Sequence, residues 1–314
     1  MSAPSAPRKG SLQFWPRKRA KKFLPRVNWN AINSEKILKG FICYKAGMVS
    51  VMVKDNTPDS LTKGKKITIA CTLLECPSMK IFSVRFYKNN IIVKEVLAEN
   101  LDKELKKKVK LPKKKTGKIE EINGESYDDI SVIAYSQVKK TGIKKSPDMV
   151  EIGLKGSVED KFNFAKENLG KELNISNFFD KNQVVDFRGL TKGQGFQGPV
   201  KRFGIKLRFH KTEKGQRKVG SIGPWHPARV TFRVPMAGQM GNYTRVLYNN
   251  KIIDLGKSED KFKNIKNFGN LKTDYLIVHG SVQGPAKRQV IMTNALRPTK
   301  SQLKKSYELL EVRK

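Results

Sequence analysis

The chain has 314 residues, and its 64 Lys and Arg against 28 Asp and Glu give a formal net charge of +36. Such a charge attracts polyanions, so it favours nucleic acid or an anionic membrane as partner. It disfavours the class of acidic enzymes that act on small molecules. Hydrophobic residues make up 38% of the chain, which is enough for a sizeable core and excludes global disorder.

The N-terminal residues 1–35 are predicted to form a basic arm. Residues 1–30 contain eight Lys and Arg and no acid, and their four prolines oppose a continuous helix. Phe14, Trp15, Phe23 and Trp29 are too apolar for a tail that stays in water. We expect an extended tail that follows a phosphate backbone and presses its rings against bases or riboses. A disordered solubilising tail is the alternative.

Short runs of β-branched and aromatic residues, separated by Gly, Asn or Pro, predict a β-rich body built as a meander or barrel. The predicted strands are 37–44, 48–54, 67–74, 81–87, 91–96, 129–135, 150–154, 184–187, 244–248, 252–255, 275–278 and 289–294. Two Asn-Asn pairs, Asn89-Asn90 and Asn249-Asn250, suit hairpin turns, which need positive φ.

Helices are few and lie in the middle of the chain. Ser157 to Asp160 offers a capping pattern, followed by apolar residues at helical spacing up to Gly170. A second helix is predicted over 97–109. The simplest organisation is a β-barrel body from residues 36–80 and 180–314, with an α/β insertion at 81–179. The run 103–118 has nine Lys and one Glu, and an RNA contact and a solvated face are equally plausible there.

Residues 188–245 are predicted to form a long, basic, Gly-rich loop. Ten glycines and four prolines interrupt it, and residues 187–246 carry 13 Lys and Arg against Glu213 alone. A loop of this length is usually functional or disordered. Glycine lets a backbone approach phosphates closely and cations neutralise them, so this composition suits a loop that follows folded RNA.

No pattern in the chain supports catalysis or a metal site. Gly193 to Gly198 matches the dinucleotide fingerprint GxGxxG, but no apolar helical stripe and no βαβ unit follow, so a phosphate-tracking loop is preferred. The three His residues are scattered, and Cys71 and Cys76 lack further zinc ligands. His226 has no orienting carboxylate nearby in sequence. We therefore expect no catalytic residue, no bound metal and no small-molecule substrate.

The chain is also expected to stay inside the cell and off membranes. No apolar run approaches the ~20 residues of a membrane span. The first residues lack the apolar stretch of a secretory signal, and three cysteines fit a reducing compartment. These features predict a cytoplasmic protein.

Trp225 is the residue of the loop with the strongest functional signal. It lies in a Gly- and Pro-rich basic stretch, where no amphipathic pattern would bury a large ring in the chain's own core. We expect this ring to pack into an RNA partner, with local packing on its own domain as the alternative.

Five motifs in order along the chain closely resemble ribosomal protein L three of the large subunit, in its archaeal-type form. They are Arg8 to Leu12, Pro16 to Ala20, Gly40 to Met48, Gly220 to Arg229 and Ala237 to Gly241. The resemblance implies the six-stranded barrel of translation proteins, interrupted by an α/β insertion. The sequence departs from eukaryotic members at Glu213, where they carry His. No modification of that His is therefore expected in this chain.

The resemblance also implies a function in translation. The chain would be a structural constituent of the large subunit that binds its rRNA and supports early assembly. It would place Trp225 near the peptidyl transferase centre and influence the binding of A-site tRNA and elongation factors. Its partners would be large-subunit rRNA and neighbouring ribosomal proteins. It would need no cofactor, with any structural Mg²⁺ or monovalent ions bound mainly by the rRNA.

The predicted rRNA contacts are 22 residues of the arm and the loop. In the arm they are Arg8, Lys9, Ser11, Trp15, Arg17, Lys18, Arg19, Lys21 and Lys22. In the loop they are Lys192, Lys201, Arg202, Lys206, Arg208, Lys211, Arg217, Lys218, Trp225, His226, Arg229, Arg233 and Arg245. The competing functions are an RNA-processing or nucleotide-dependent enzyme and a freestanding translation factor with the same barrel.

Overall fold

Most of the described chain is extended, as expected from its many β-branched and aromatic residues. The computed structural model describes residues 7–112, 119, 127–258 and 261–313. The strands are β1 Gly40–Asp55, β2 Lys66–Cys76, β3 Met79–Lys88, β4 Ile91–Leu97, β5 Asp129–Ser136, β6 Met149–Gly153, β7 Glu172–Leu173, β8 Val184–Leu190, β9 Gly195–Gln197, β10 Gly238–Met240, β11 Thr244–Lys257, β12 Asp274–His279, β13 Gln289–Asn294 and β14 Tyr307–Arg313. The helices are α1 Val158–Asn168, α2 Pro199–Phe203 and α3 Lys300–Lys304. The predicted β-rich α+β class is confirmed.

The described residues fall into two compact units. The β body comprises Phe23–Gly189 and Arg245–Lys314. The second unit, here called the basic unit, comprises Met1–Lys22 and Leu190–Thr244. The predicted division at residues 36–80, 81–179 and 180–314 stays a prediction.

A seven-stranded sheet forms the larger part of the β body. Its strand order is β13-β8-β11-β12-β2-β1-β14, and β1 also pairs with β13. The long strand β1 can serve three neighbours because its first half pairs with β13 and its second half with β14. Tyr44, Phe41 and Phe187 of this sheet are fully buried.

The second sheet has the order β4-β3-β5-β6, with β7 paired to β3. Helix α1 packs against β5, and its first turn is capped as the sequence predicts: Asp160 donates its backbone N–H to Ser157 Oγ at 3.2 Å, and Ser157 donates its own to Asp160 Oδ2 at 3.0 Å. The longest helix among the described residues has 11 residues, and none is long and apolar enough to cross a membrane.

Two predicted strand breaks are wrong, and one hairpin is right. Asn89 and Asn90 have φ of 51° and 61° and form the turn between β3 and β4. Asn249 also has positive φ, but β11 continues through it, because the buried Asp186 accepts its backbone N–H at 2.8 Å. The predicted strands 37–44 and 48–54 fall into the single strand β1, which begins at Gly40 and has a register irregularity between Lys45 and Gly47.

The predicted helix over 97–109 is also wrong. Leu97 belongs to β4, and only Lys103–Lys107 makes a short 3₁₀ turn. The apolar residues of this stretch, among them Leu101 and Leu105, pack with Phe82 without forming the predicted α-helix. Residues 113–118 of the Lys-rich run 103–118 lie outside the described residues. Contact of this run with RNA stays a prediction.

Trp29, within the predicted arm of residues 1–35, packs on the β body. Its ring and Cβ occupy the space over Gly40 and Gly153 of the β body: a Cβ at Gly153 would lie 2.5 Å from the Cβ of Trp29, and one at Gly40 would lie 2.7 Å from its ring. Trp29 therefore packs on the β body, and contact of the arm's rings with RNA stays a prediction.

Candidate nucleic-acid interface

The basic unit concentrates positive charge. Its two segments, residues 1–22 and 190–244, contain 18 Lys and Arg and a single acid, Glu213. One carboxylate cannot neutralise 18 cations, so the unit keeps a formal charge of +17. Only one of the 28 acids in the sequence lies in this unit. Such an excess of positive charge favours a polyanionic partner.

The arm packs on the loop through aromatic rings. Trp15 stacks on Phe203, with ring centroids 6.2 Å apart and planes 17° apart, and meets Phe232 edge-on at 5.7 Å. The Arg17 guanidinium lies 4.3 Å from the Phe203 ring centroid and 5.3 Å from that of Trp15. We call these four side chains the arm–loop stack. They join two segments of the chain without RNA.

Hydrogen bonds within the arm set the geometry of this stack. Trp15 Nε1 donates to the Ser11 carbonyl at 3.1 Å, and Arg17 Nη2 donates to the same oxygen at 3.2 Å. The Ser11 hydroxyl accepts the backbone N–H of Gln13 at 3.1 Å. At Gly10, which has φ of +77°, a Cβ would lie 2.7 Å from the Phe203 ring, so this close approach requires glycine.

The base of the loop is a small two-stranded antiparallel sheet of β9 and β10. Gly241 follows it with φ of +78°, and a Cβ there would lie 2.0 Å from the Lys192 carbonyl oxygen. Arg202 donates from Nε to the Gln239 carbonyl at 3.0 Å and from Nη1 to the Met236 carbonyl at 2.8 Å. Arg202, predicted as an RNA contact, thus uses two donors to hold the loop together.

The GxGxxG stretch has no nucleotide-binding architecture around it. Gly195 belongs to β9, and Gly198 precedes α2, which has only five residues. A Rossmann site needs a longer helix in a βαβ unit, and β9 pairs antiparallel with β10 instead. Among the described residues, no three His, Cys, Asp or Glu side chains group closely enough to hold a metal ion.

Large apolar side chains stand in water on the basic unit. Trp225 is 87% exposed, Phe196 77% and Phe209 67%. The Phe209 ring lies 4.3 Å from the His210 ring, centroid to centroid. Sequence reasoning found Trp225 but missed Phe196 and Phe209. The signal was present, because both rings lie in Gly- or Lys-rich stretches without an amphipathic pattern.

The predicted contact residues divide by exposure and by unit. Those exposed are Arg8, Ser11, Lys18, Arg19, Lys21, Lys22, Lys192, Lys201, Lys206, Arg208, Lys211, Arg217, Lys218, Trp225, His226, Arg229 and Arg233. Half-buried are Lys9, Trp15, Arg17, Arg202 and Arg245. Arg245 belongs to the β body, and the other 21 lie in the basic unit. The structure thus gathers nearly all of them in one compact unit, although their contacts with RNA stay predictions.

Comparison with known proteins gives one consistent family. The model of the family described as "Ribosomal protein L3" matches residues 1–312. The chain is 41% identical over 314 residues to the "Large ribosomal subunit protein uL3" of Methanocaldococcus jannaschii, covering 95% of this chain and 93% of that protein. The protein of the same name from Archaeoglobus fulgidus is 38% identical over 309 residues, covering 94% and 93%.

Proposed function

The chain belongs to the ribosomal protein L3 family, and we propose from this that it is a structural constituent of the large ribosomal subunit that binds its rRNA. The role is architectural and not enzymatic. Its partners are large-subunit rRNA and neighbouring ribosomal proteins, and it acts in the cytoplasm as part of the subunit. It needs no cofactor, and Mg²⁺ or monovalent ions at the interface are held mainly by the RNA.

The observation that carries this proposal is the excess positive charge of the basic unit. Eighteen cations and one acid lie on a folded unit that also exposes Trp225, Phe196 and Phe209. Cations position a protein on phosphates, and exposed rings stack on unpaired bases. A protein partner would need an exceptional density of acids to meet this surface, whereas RNA carries one charge per nucleotide.

A finer proposal concerns Trp225. An almost fully exposed Trp is costly in water, and prolines stand within two residues on both sides of it, where they restrict the backbone. We propose that the ring inserts into rRNA near the peptidyl transferase centre, where it influences the binding of A-site tRNA and elongation factors. The arm would enter the same RNA and support early assembly.

The strand pairings support a further structural proposal. In the seven-stranded sheet, β1, β2, β12, β11, β8 and β13 pair in sequence, and β13 also pairs with β1. We propose that these six strands form the closed barrel implied by the family, with β14 attached outside the circuit.

Salt dependence tests the electrostatic basis of rRNA binding. We expect the logarithm of the affinity of the purified chain for large-subunit rRNA to fall linearly with the logarithm of salt concentration, by about 0.7 to 0.9 per neutralised phosphate. Replacing Lys18 and Arg19 with Gln should reduce the slope by about one for each phosphate that is no longer neutralised. An affinity that does not change with salt would contradict the proposal.

Trp225→Ala tests the proposed insertion into RNA. We expect unchanged thermal unfolding of the β body, because the ring is exposed, but impaired A-site function or subunit assembly. Leu61→Ala is the control, since Leu61 is a 97% exposed apolar residue of the β body. Normal translation and subunit profiles for Trp225→Ala would count against the role of the ring.

Sedimentation separates a constituent from a cycling factor. A structural constituent remains with large subunits through moderate salt at about one copy each. Release at moderate salt, or a copy number well below one, would favour the freestanding translation factor. Turnover of RNA or nucleotide by the purified chain would favour an enzyme.

A further inference from the structure

The basic unit contains an open cavity of about 460 Å³ beside Trp225. Its apolar walls come from Ile222, Pro224, Pro227, Val234 and Pro235. The volume lies within the range of small-ligand pockets in proteins, about 300 to 1,000 Å³. We call this cavity the tip pocket.

The walls of the tip pocket are held by the chain itself. Three prolines fix their own φ angles. The Arg229 backbone N–H donates to the Pro227 carbonyl at 2.6 Å, the Val234 N–H to the Thr231 carbonyl at 3.3 Å, and the Met236 N–H to the Val234 carbonyl at 2.8 Å. A pocket formed before its ligand arrives loses less conformational freedom on binding.

The polar groups of the tip pocket define the ligand class. Ser221 and Thr231 supply hydroxyls, which can donate and accept, and Arg229 supplies an exposed guanidinium. No carboxylate lines the cavity. A fitting ligand therefore has a largely apolar body with hydrogen-bonding groups and a negative charge beside it. A nucleotide has this combination, and Arg recognises phosphate well.

Trp225 does not line the cavity, although Pro224 and Pro227 on either side of it do. The exposed ring and the tip pocket are therefore two separate places where this short stretch can hold RNA. Single-stranded RNA is recognised by splaying bases out of the stack and enclosing them one by one.

We propose that the tip pocket receives one unstacked nucleotide of large-subunit rRNA, with its base against the proline and valine walls and its phosphate at Arg229. The inference deepens the proposed rRNA binding and rests on it. The charge of the basic unit favours RNA over a protein segment as the occupant.

Filling the pocket tests the proposal with the full chain. Val234→Phe adds bulk to a pocket wall at constant charge. Val230→Phe makes the same change four residues away, at an exposed position that does not line the cavity. Each variant and the natural chain are titrated onto large-subunit rRNA, and base accessibility is measured by chemical probing at single-nucleotide resolution.

We expect Val234→Phe to weaken binding by on the order of tenfold, the effect of losing one stacked base. It should also expose one nucleotide that the natural chain and Val230→Phe protect. The salt slope should be the same for all three, because no cation changes. Equal affinities and identical protection for the two variants would overturn the tip pocket while leaving rRNA binding intact. A natural chain whose affinity ignores salt would instead overturn the proposed function.

A crosslink provides a second measurement that does not depend on the folding of Val234→Phe. A benzophenone amino acid is placed at the exposed, pocket-lining Thr231, and the chain is incorporated into large subunits and irradiated. One dominant crosslink to a single rRNA nucleotide supports the proposal. Crosslinking to a protein, or to no single nucleotide, overturns it.

Discussion

Removing the Trp15 ring should release the arm from the loop. Trp15→Ala abolishes two aromatic contacts, with Phe203 at 6.2 Å and with Phe232 at 5.7 Å, and aromatic pairs are worth about 0.5 to 1.5 kcal/mol each. It also removes the Trp15 share of the Arg17 contact, worth about 0.5 to 1 kcal/mol at an exposed site. The docking free energy of the arm should fall by roughly 1.5 to 4 kcal/mol.

Trypsin cleavage within the arm measures this decrease. Lys18 and Arg19 are exposed side chains, but the backbone around them is held by a bond from the Ala20 N–H to the Asn242 carbonyl at 3.0 Å. Cleavage therefore requires local opening, and its rate follows the open population. A decrease of about 1.5 to 4 kcal/mol should raise the rate about 10- to 800-fold.

Two variants control this experiment. Trp15→Phe keeps a ring but loses the Nε1 bond to the Ser11 carbonyl at 3.1 Å, so its cleavage rate should lie between the other two. Leu12→Ala removes an apolar side chain of the same arm that has no part in the stack, and it should cleave at the natural rate. Equal rates for Trp15→Ala and the natural chain would refute the arm–loop stack as the device that docks the arm.

Three further predictions concern other groups. Burial raises the pKa of Asp55, but hydrogen bonds from residues of the 57–62 turn outweigh burial and hold the pKa at about 2, so the ionised carboxylate stabilises the fold fully above about pH 4 and less as pH falls towards 2. Asp55→Asn should lower the free energy of unfolding by about 2 kcal/mol at pH 7 and flatten its decline with falling pH, as measured by chemical denaturation; an unchanged pH profile would contradict this. Gly241→Ala should destabilise the basic unit more than Gly215→Ala in proteolysis, because both have positive φ but only at Gly241 would the new Cβ meet a carbonyl oxygen, at 2.0 Å; equal effects would leave backbone strain as the sole cause. Burial raises the pKa of the Cys71 thiol to about 12, so iodoacetamide at pH 8 should label Cys71 only after unfolding, whereas the exposed thiol of a Leu61→Cys variant should be labelled at once. Labelling of Cys71 in the native protein would disprove its burial.

Local signals in the sequence predicted the elements that depend on local chemistry. The Ser157 capping pattern gave α1, and Asn89-Asn90 gave the β3–β4 turn, because both are decided within a few residues. The pair Asn249-Asn250 has the same letters but lies within β11. Its outcome depends on Asp186, which is more than 60 residues away in sequence.

The helix predicted over 97–109 failed for a related reason. Leu97, Leu101, Leu105 and Val109 recur at helical spacing, but Leu97 belongs to β4. The other three pack with Phe82 from a segment whose helical part is the short 3₁₀ turn Lys103–Lys107. Tertiary pairing thus overrides a weak local preference.

For the candidate interface, composition predicted where the charge lies, and the family resemblance is confirmed. The arm–loop stack could not be predicted, because no periodicity connects Trp15 with Phe203 across nearly 190 residues. The structural role of Arg202 could not be predicted for a similar reason. In sequence, an arginine that donates to backbone carbonyls cannot be distinguished from one that binds phosphate.

The arm–loop stack also sets an order of events during synthesis. The arm leaves the exit tunnel first, but Phe203 and Phe232 are made about 190 to 220 residues later, which at ~5 to 20 residues per second is a delay of roughly 10 to 40 s. Throughout this interval the seven cations of residues 8–22 have no docking partner. The nascent chain is therefore most susceptible to capture by stray polyanions before its own loop exists.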